Sequence, residues 1–442
     1  MALIKLKKGF DLNLKGHITQ EIVAEPTQSE TFAIIPDDFT GVIPRMEKKP
    51  GEHVMAGEVL YHDKNDEMIK VTSPVSGTLA EVVRGDRRKI LAVTVSPDNK
   101  GESKSFDTRS NPKELLLESG LWAMLRQRPY DIVPNTDVRP RDIFITAFDS
   151  SPLAPSLKMV LGDDEKYLAK AVEVLLSLTD GKVYMGCPTD YTIDSTGAET
   201  NTFAGPHPAG NAGVQVANVK PVNKGEVVWT LDVITAARIG KLFETGKVDY
   251  GTTVALTGSG IAEPCYVKAT MGCTLKSLLD GRLVEDEKEK RIISGNVLTG
   301  VKENLDGYLH APYRHITVIN EINKKDEFMG WASLSPKKYS IYRVFTSWLC
   351  GRHKEVDLDA KLNGGERAIV LCGEYDKMLP MDIYAEFLIK SIIAFDIDKM
   401  EQLGIYEVAP EDFALAEYAD TSKLELQRIV REGLDKMRAE MC

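Results

Sequence analysis

The chain contains no apolar run near the roughly 20 residues that a helix needs to cross a bilayer. Its longest apolar stretches, around 368–372 and 392–395, have the length of core strand or helix segments. No direct membrane span is therefore expected. The opening residues Met1-Ala2-Leu3-Ile4-Lys5-Leu6-Lys7-Lys8 have neither a continuous apolar region nor a small-residue cleavage site, so a secretory signal is not expected either. Basic charge is outweighed by acid: 55 Lys and Arg against 66 Asp and Glu leave a formal net charge of -11. Such a surface repels phosphate backbones, which argues against nucleic acid as a partner, and it offers anionic lipid no polybasic handle.

Thiols are few. The six cysteines are Cys187, Cys265, Cys273, Cys350, Cys372 and Cys442, and no two of them form a CxxC pair. An iron–sulfur cluster takes about four thiolates, usually closely spaced, and structural zinc usually has paired ligands. The cysteines are expected to be reduced core filler. Seven histidines are scattered, and the closest two, His310 and His315, are five apart, which is wrong for one helical face. No metal site is expected.

A glycine-rich phosphate turn is also missing. Such a turn needs several glycines, so that backbone N–H groups can approach phosphate oxygens. The relevant run is Gly120-Leu121-Trp122-Ala123-Met124-Leu125-Arg126-Gln127-Arg128-Pro129, and bulky side chains fill it. Thr257-Gly258-Ser259-Gly260 follows a strand signal but lacks the third glycine, and Asn363-Gly364-Gly365 is similar; each reads as a plain turn. No GxSxG, HExxH or P-loop occurs.

What is present reads as a multi-domain α/β protein. The hydrophobic fraction is 43% and the charged fraction 27%, enough for several cores. At roughly 100–200 residues per domain, the length suggests about three domains rather than one. Residues 1–110 form an N-terminal region whose core, 39–95, carries short β signals separated by Gly and Pro. Its pattern looks like a biotinyl/lipoyl-like β sandwich. Lys64 lies near the matching hairpin tip, but no Met flanks it, so a scaffold without a covalent prosthetic group is expected.

Residues 111–250 alternate strand and helix signals, as a Rossmann-like parallel sheet does. Leu168, Ala171, Val172, Leu175 and Leu176 predict an amphipathic helix over 165–178, and a second helix is expected over 232–244. Residues 251–330 fit a β-grasp (ubiquitin-like) domain, with strands near 252–257, 266–269 and 316–319 and a short helix at 275–279. A connecting segment, 331–377, leads to a C-terminal helical domain, 378–442. Its last helix is predicted to start at the capping-box pattern Ser422-Lys423-Leu424-Glu425, with an apolar stripe of Leu426, Ile429, Val430, Leu434 and Met437.

One loop stands out as a candidate site: Gly205, Pro206, His207, Pro208 and Gly210, within 204–213. Two prolines fix φ around a single histidine. The loop reads either as a ligand or partner contact through His207 or as a rigid strand-to-helix connection. No catalytic residue is assigned.

The chain resembles the A-subunit family of the sodium-translocating NADH:quinone oxidoreductases of bacterial inner membranes over essentially its whole length. The resemblance is carried by Ile4-Lys5-Leu6-Lys7-Lys8-Gly9-Phe10-Asp11-Leu12, by Pro74-Val75-Ser76-Gly77-Thr78-Leu79, and by Gly205-Pro206-His207-Pro208-Ala209-Gly210-Asn211. Residues 292–300 and 380–388 add to it. It implies a peripheral protein on the cytoplasmic face, docked on a membrane partner of the same complex. It also implies an association with the quinone site, ubiquinone or menaquinone being the complex's substrate. Flavins and iron centres, by the same resemblance, lie in other subunits. The implied fold is similar to that of flavin-binding relatives that keep a glycine-rich loop where this chain has 121–128, and cysteine ligands where it has 416–420. Three readings follow: a subunit shaping a quinone site without its own redox centre, a pure assembly module, or a freestanding flavin-binding oxidoreductase. A colourless preparation would exclude the third.

Overall fold

Alternation of side chains along strands organises the centre of the molecule. The computed structural model describes residues 2–191, 193, 197–321, 338–344, 349, 355–370 and 373–441. Six strands form one sheet in the order Ala2–Lys5, Glu199–Ala204, Val183–Cys187, Asp142–Thr146, Val228–Asp232 and Arg126–Arg128. All neighbours are parallel except the last pair, which is antiparallel. Ile143 and Ile145 face one side with Val183, Met185, Trp229 and Leu231, while Phe144, Tyr184 and Val228 face the other. Helices Leu168–Leu178 and Val233–Thr245 cover the first face, and helix Ala212–Val219 covers the second through Val216. Burial on both faces is why these strands read as continuous apolar runs.

The helix expected over 165–178 is α-helical only from Leu168 to Leu178, after a tighter turn at Gly162–Tyr167. Leu168, Ala171, Val172 and Leu175 are buried as expected, but Leu176 is 37% exposed. It lies about 80° round the helix from Leu168, at the edge of the stripe. The helix Val233–Thr245 begins where its sequence allows a cap. The Asp232 carboxylate accepts from the Thr235 amide at 2.6 Å, and Gly246 ends the helix at φ 70°.

The N-terminal unit is a sandwich of two small sheets. One has the order Phe32–Ile34, Ile90–Pro97, Gly77–Arg84, His53–Val54; the other has Pro44–Met46, Val59–Asp63, Lys70–Thr72. Val54, Leu60, Leu79, Val93 and Val95 are fully buried in its core. Lys64 is exposed in the hairpin, its amide bonded to the Ile43 carbonyl.

A second mixed sheet of six strands runs Val301–Glu303, Lys290–Ser294, His315–Asn320, Gly251–Thr257, Cys265–Thr270, Val23–Ala24, with helix Leu275–Leu279 packed on its core. Strands Lys290–Ser294 and Val301–Glu303 were not foreseen, because the first emerges from a run of charge at 285–291 that hides its alternation. Residues near the N-terminus thus serve other sheets: Ala2–Lys5 edges the parallel one and Val23–Ala24 this one.

The C-terminal region is helical: Glu374–Met378, Ala385–Ala394, Ile397–Gln402, Ala414–Ala419 and Leu426–Met441 enclose a core of their own. The final helix does not use the expected capping box. It begins at Leu426, and Ser422 instead donates its hydroxyl to the Ala368 carbonyl at 3.0 Å. Leu426, Val430, Leu434 and Met437 are buried, and Ile429 is partly so. Residues 368–370, expected in a core segment, lie outside regular structure and are mostly exposed, because the chain there runs across the surface; 371–372 fall outside the described residues. In the other apolar stretch Ile392 is buried and Ile393 exposed, as one face of a surface helix dictates. Among the described residues, no helix is long and apolar enough to cross a membrane.

Candidate functional site

Strands Asp142–Thr146 and Val228–Asp232 lie side by side, and the parallel sheet grows away from them in opposite directions. At such a switch point the loops leaving the carboxyl ends diverge and open a crevice. A cleft of about 580 Å³ occupies that place. Its walls come from all four regions: 37–40 from the sandwich, the ends of the parallel strands, 311–315 from the second mixed sheet, and Pro410, Glu411, Gln427 and Arg431 from the helical region.

His207 and Gly210, from the loop singled out in the sequence, line this cleft, whereas Gly205, Pro206 and Pro208 are not on its lining. Gly205 has φ 147°, and a Cβ there would come within 2.6 Å of the Leu6 carbonyl oxygen. His207 is 3% exposed. Its amide donates to Asp11 at 2.8 Å and its carbonyl accepts from the Phe10 amide at 2.8 Å. The Ser150 hydroxyl accepts from the Gly210 amide at 2.8 Å and lies 3.1 Å from His207 Nδ1. Either ring tautomer satisfies Nδ1, by accepting from the Ser150 hydroxyl or by donating to the Ser150 backbone, and the other ring nitrogen is Nε2. That nitrogen has no protein partner. Burial holds the ring below its ordinary pKa despite Asp149 and Asp11 nearby, so it is uncharged at neutral pH. The site thus presents a buried, uncharged imidazole whose Nε2 meets no protein partner.

His315 is the residue that sequence reasoning missed. It opens the strand His315–Asn320, lines the cleft, is 3% exposed, and leaves Nε2 without a partner. Burial lowers its pKa as well, with Asp149 opposing. The buried hydroxyl oxygens of Thr146 and Ser151, also on the lining, are unpartnered too. A strand starting at 315 rather than 316 would have been the only signal for His315. His310, its neighbour in sequence, does something else. It is buried between Asp38, 2.6 Å from Nδ1, and Glu303, 3.0 Å from Nε2, and despite burial these carboxylates raise its pKa to about 9.

The run expected to block a phosphate cradle is a tight turn at Leu121–Met124. Leu121, Trp122 and Ala123 are buried. Trp122 meets Trp229 edge-on, with ring centres 4.9 Å apart, and donates to the Pro134 carbonyl at 2.9 Å. Ala123 and Met124 reach the cleft wall. At the other turn considered, the Gly258 amide donates to the Gly16 carbonyl at 2.9 Å, and a Cβ would strike the Val318 oxygen at 2.2 Å.

The thiols are inert where described. Cys187, Cys265 and Cys273 are free and buried, and burial pushes Cys187 to about 11 and Cys273 to about 12. Cys350, Cys372 and Cys442 lie outside the described residues. Among the described residues, one group with metal-ligating side chains converges: His53 Nε2 lies 2.9 Å from Asp98 and 3.8 Å from Glu102 on the sandwich surface. No sequence spacing pointed to it.

Comparison with known proteins places these features in a family. Residues 4–98 match the NqrA N-terminal barrel-sandwich hybrid domain, 108–248 the NqrA second alpha/beta domain, and 253–304 the NQRA C-terminal domain. Curated relatives, each the A subunit of a Na(+)-translocating NADH-quinone reductase, match end to end. That of Saccharophagus degradans is 34% identical over 453 residues, covering 99% of this chain and 100% of the relative. That of Rhodopirellula baltica is 33% identical over 454 residues, covering 99% of each. The Neisseria meningitidis serogroup C protein is 32% identical over 452 residues, covering 99% of this chain and 100% of the relative. Among solved structures, an NAD+-reducing nickel–iron hydrogenase in the H2-reduced state matches at TM-score 0.34 and 11% identity, over 48% of this chain and 47% of that one. The chain therefore belongs to the A-subunit family of the Na(+)-translocating NADH-quinone reductases, which are multi-subunit enzyme complexes.

Proposed function

We propose that this chain is a peripheral, cytoplasmic-face subunit of a sodium-pumping NADH:quinone reductase that helps to form the quinone site and carries no redox centre of its own. The single observation behind this is His207: an uncharged ring whose Nε2 is unpartnered beside a cleft with a substantially apolar lining. A quinone headgroup wants an apolar slot and few polar contacts. With its hydrogen on Nε2, the His207 ring is suited to a quinone carbonyl, ubiquinone or menaquinone alike, and His315 offers a second polar contact. Flavin and iron centres are assigned to other subunits, and docking to a membrane subunit that completes the quinone site. In this reading the parallel sheet over 111–250 is Rossmann-like and the mixed sheet over 251–330 a β-grasp domain, both kept as scaffold between the N-terminal region 1–110 and the helical domain 378–442.

The test is a titration of the purified chain with a soluble short-chain quinone, followed by tryptophan fluorescence. Trp122 and Trp229 sit next to lining residues Ala123 and Thr230, so occupancy should quench them. Saturable quenching is expected, with affinity about tenfold weaker in His207→Leu, the worth of one hydrogen bond. No saturable quenching would leave an assembly role alone. That second reading draws on the exposed Tyr384, Phe387 and Ile393 around the helix Ala385–Ala394, a surface suited to a neighbouring subunit.

A further inference from the structure

Three side chains able to hold a metal ion meet on the sandwich surface, and none of them is on the cleft lining. His53 opens the strand His53–Val54, Asp98 follows the strand Ile90–Pro97, and Glu102 lies in the chain that leaves the sandwich. His53 Nε2 stands 2.9 Å from an Asp98 oxygen and 3.8 Å from a Glu102 oxygen, and the three ligand atoms all lie within 4.8 Å of one another. A zinc ion bound tetrahedrally at roughly 2.0–2.2 Å sets neighbouring ligand atoms about 3.4 Å apart, so small side-chain rotations bring this trio to ligating distance.

Bonds outside the trio fix where each ligand starts. His53 pairs with Thr78 across the sheet, and the Asp98 amide donates to the Ser76 carbonyl at 3.1 Å. The Ala56 amide donates to the Glu102 carbonyl at 3.0 Å, and the Lys104 amide donates to the Ala56 carbonyl at 2.9 Å, which pins 102–104 beside the end of the histidine's strand. The Asp98 carboxylate is held from behind. Its Oδ1 accepts from the Ser76 hydroxyl at 2.7 Å and from the Lys100 amide at 3.0 Å, and its Oδ2 is turned to His53. Outer hydrogen bonds of this kind orient metal-ligating carboxylates. Together with the bond from His53 they hold the Asp98 carboxyl well below its ordinary range, so it is ionised. Lys100 is the adverse charge here, whereas Lys104 is drawn off to Glu118 at 2.8 Å. The side chains of His53 and Glu102 are 45% and 47% exposed, so an ion reaches them from solvent.

We propose that His53, Asp98 and Glu102 bind a divalent transition-metal ion of the zinc type, with water completing its shell. Imidazole nitrogen beside carboxylate oxygen suits zinc, or cobalt in its place, whereas magnesium prefers an all-oxygen octahedron. The ring ligates as neutral imidazole through Nε2, with its hydrogen on Nδ1. The ion ties the chain leaving the sandwich to the strand His53–Val54, and so stabilises the folded state by mass action. This site stands apart from the quinone reading, since metal binding is measured without quinone.

The experiment is calorimetric titration of the chelator-treated full chain with zinc chloride, and with magnesium chloride at matched ionic strength. Saturable zinc binding is expected, with His53→Gln and Glu102→Gln each weakening it at least about tenfold. The control His17→Gln removes another exposed histidine beside a carboxylate, Glu355 at 3.0 Å, and leaves the affinity unchanged. Cobalt chloride in place of zinc gives a visible absorption band that His53→Gln removes. Zinc bound no more tightly than magnesium, or folded variants binding zinc as tightly as the parent, would overturn the proposal. If His53→Gln does not fold, the exposed Glu102→Gln decides it.

Discussion

Ser150 occupies Nδ1 of His207, so the ring's chemistry can be changed without touching the ring. Ser150→Ala removes the hydroxyl that occupies Nδ1 and accepts the Gly210 amide. The expected outcome is a quinone affinity lower by about three- to tenfold, with thermal stability falling by about 1 kcal/mol, one net hydrogen bond. Isothermal titration and thermal unfolding of the same variant check both. Because the folded pKa of His207 is lowered, the unfolded chain binds the proton more readily, and this ring's contribution to stability declines as pH falls below about 6.5. Quinone affinity should change only as pH falls through the folded ring's lowered pKa, below the ordinary value near 6.5, where the ring takes up a proton. His207 was legible in the sequence because prolines and glycines crowd around it. His315, Thr146 and Ser151 were not, since nothing local distinguishes a cleft residue from any other strand end.

Elements were legible wherever one face is apolar. The helices Leu168–Leu178 and Val233–Thr245 follow from period, whereas the strand Asp142–Thr146, buried on both faces, follows from a short unbroken apolar run. What joins elements was invisible. Arg128, on the edge strand Arg126–Arg128, is 1% exposed and donates to Asp412 at 3.0 Å and to the Glu407 carbonyl at 2.9 Å, across the helical region. The Asp412 partner lies 284 residues away, and no pattern links the two positions. Asp412 also accepts from the Ala409 amide at 2.9 Å. Asp412→Leu leaves a buried guanidinium facing a lost carboxylate and should destabilise by about 3–5 kcal/mol. Arg128→Met combined with Asp412→Leu should recover most of that loss, because the buried guanidinium goes with the buried carboxylate and the carboxylate left behind, Glu411 at 3.2 Å from Arg128, is 45% exposed. A double-mutant cycle by denaturant unfolding measures the coupling.

At the scale of the molecule, the cleft exists only where four regions meet, and that meeting is what sequence reading could not supply. The first 24 residues lend strands to two different sheets, which only the folded chain reveals. His310 ties two regions together, between Asp38 of the sandwich and Glu303 of the mixed sheet. Its folded pKa is raised to about 9, so its stabilisation is complete below the unfolded value near 6.5 and is lost as pH rises through about 9. The amount is on the order of 3 kcal/mol. Thermal unfolding between pH 6.5 and 9.5 should show this loss in the parent and a flatter profile in His310→Gln.

Whether this cleft receives the quinone headgroup is decided by a structure of the assembled complex with quinone bound. A quinone carbonyl is expected about 3 Å from His207 Nε2. A headgroup resolved elsewhere in the complex, with its carbonyls bonded to other residues, would rule the cleft out as the quinone site.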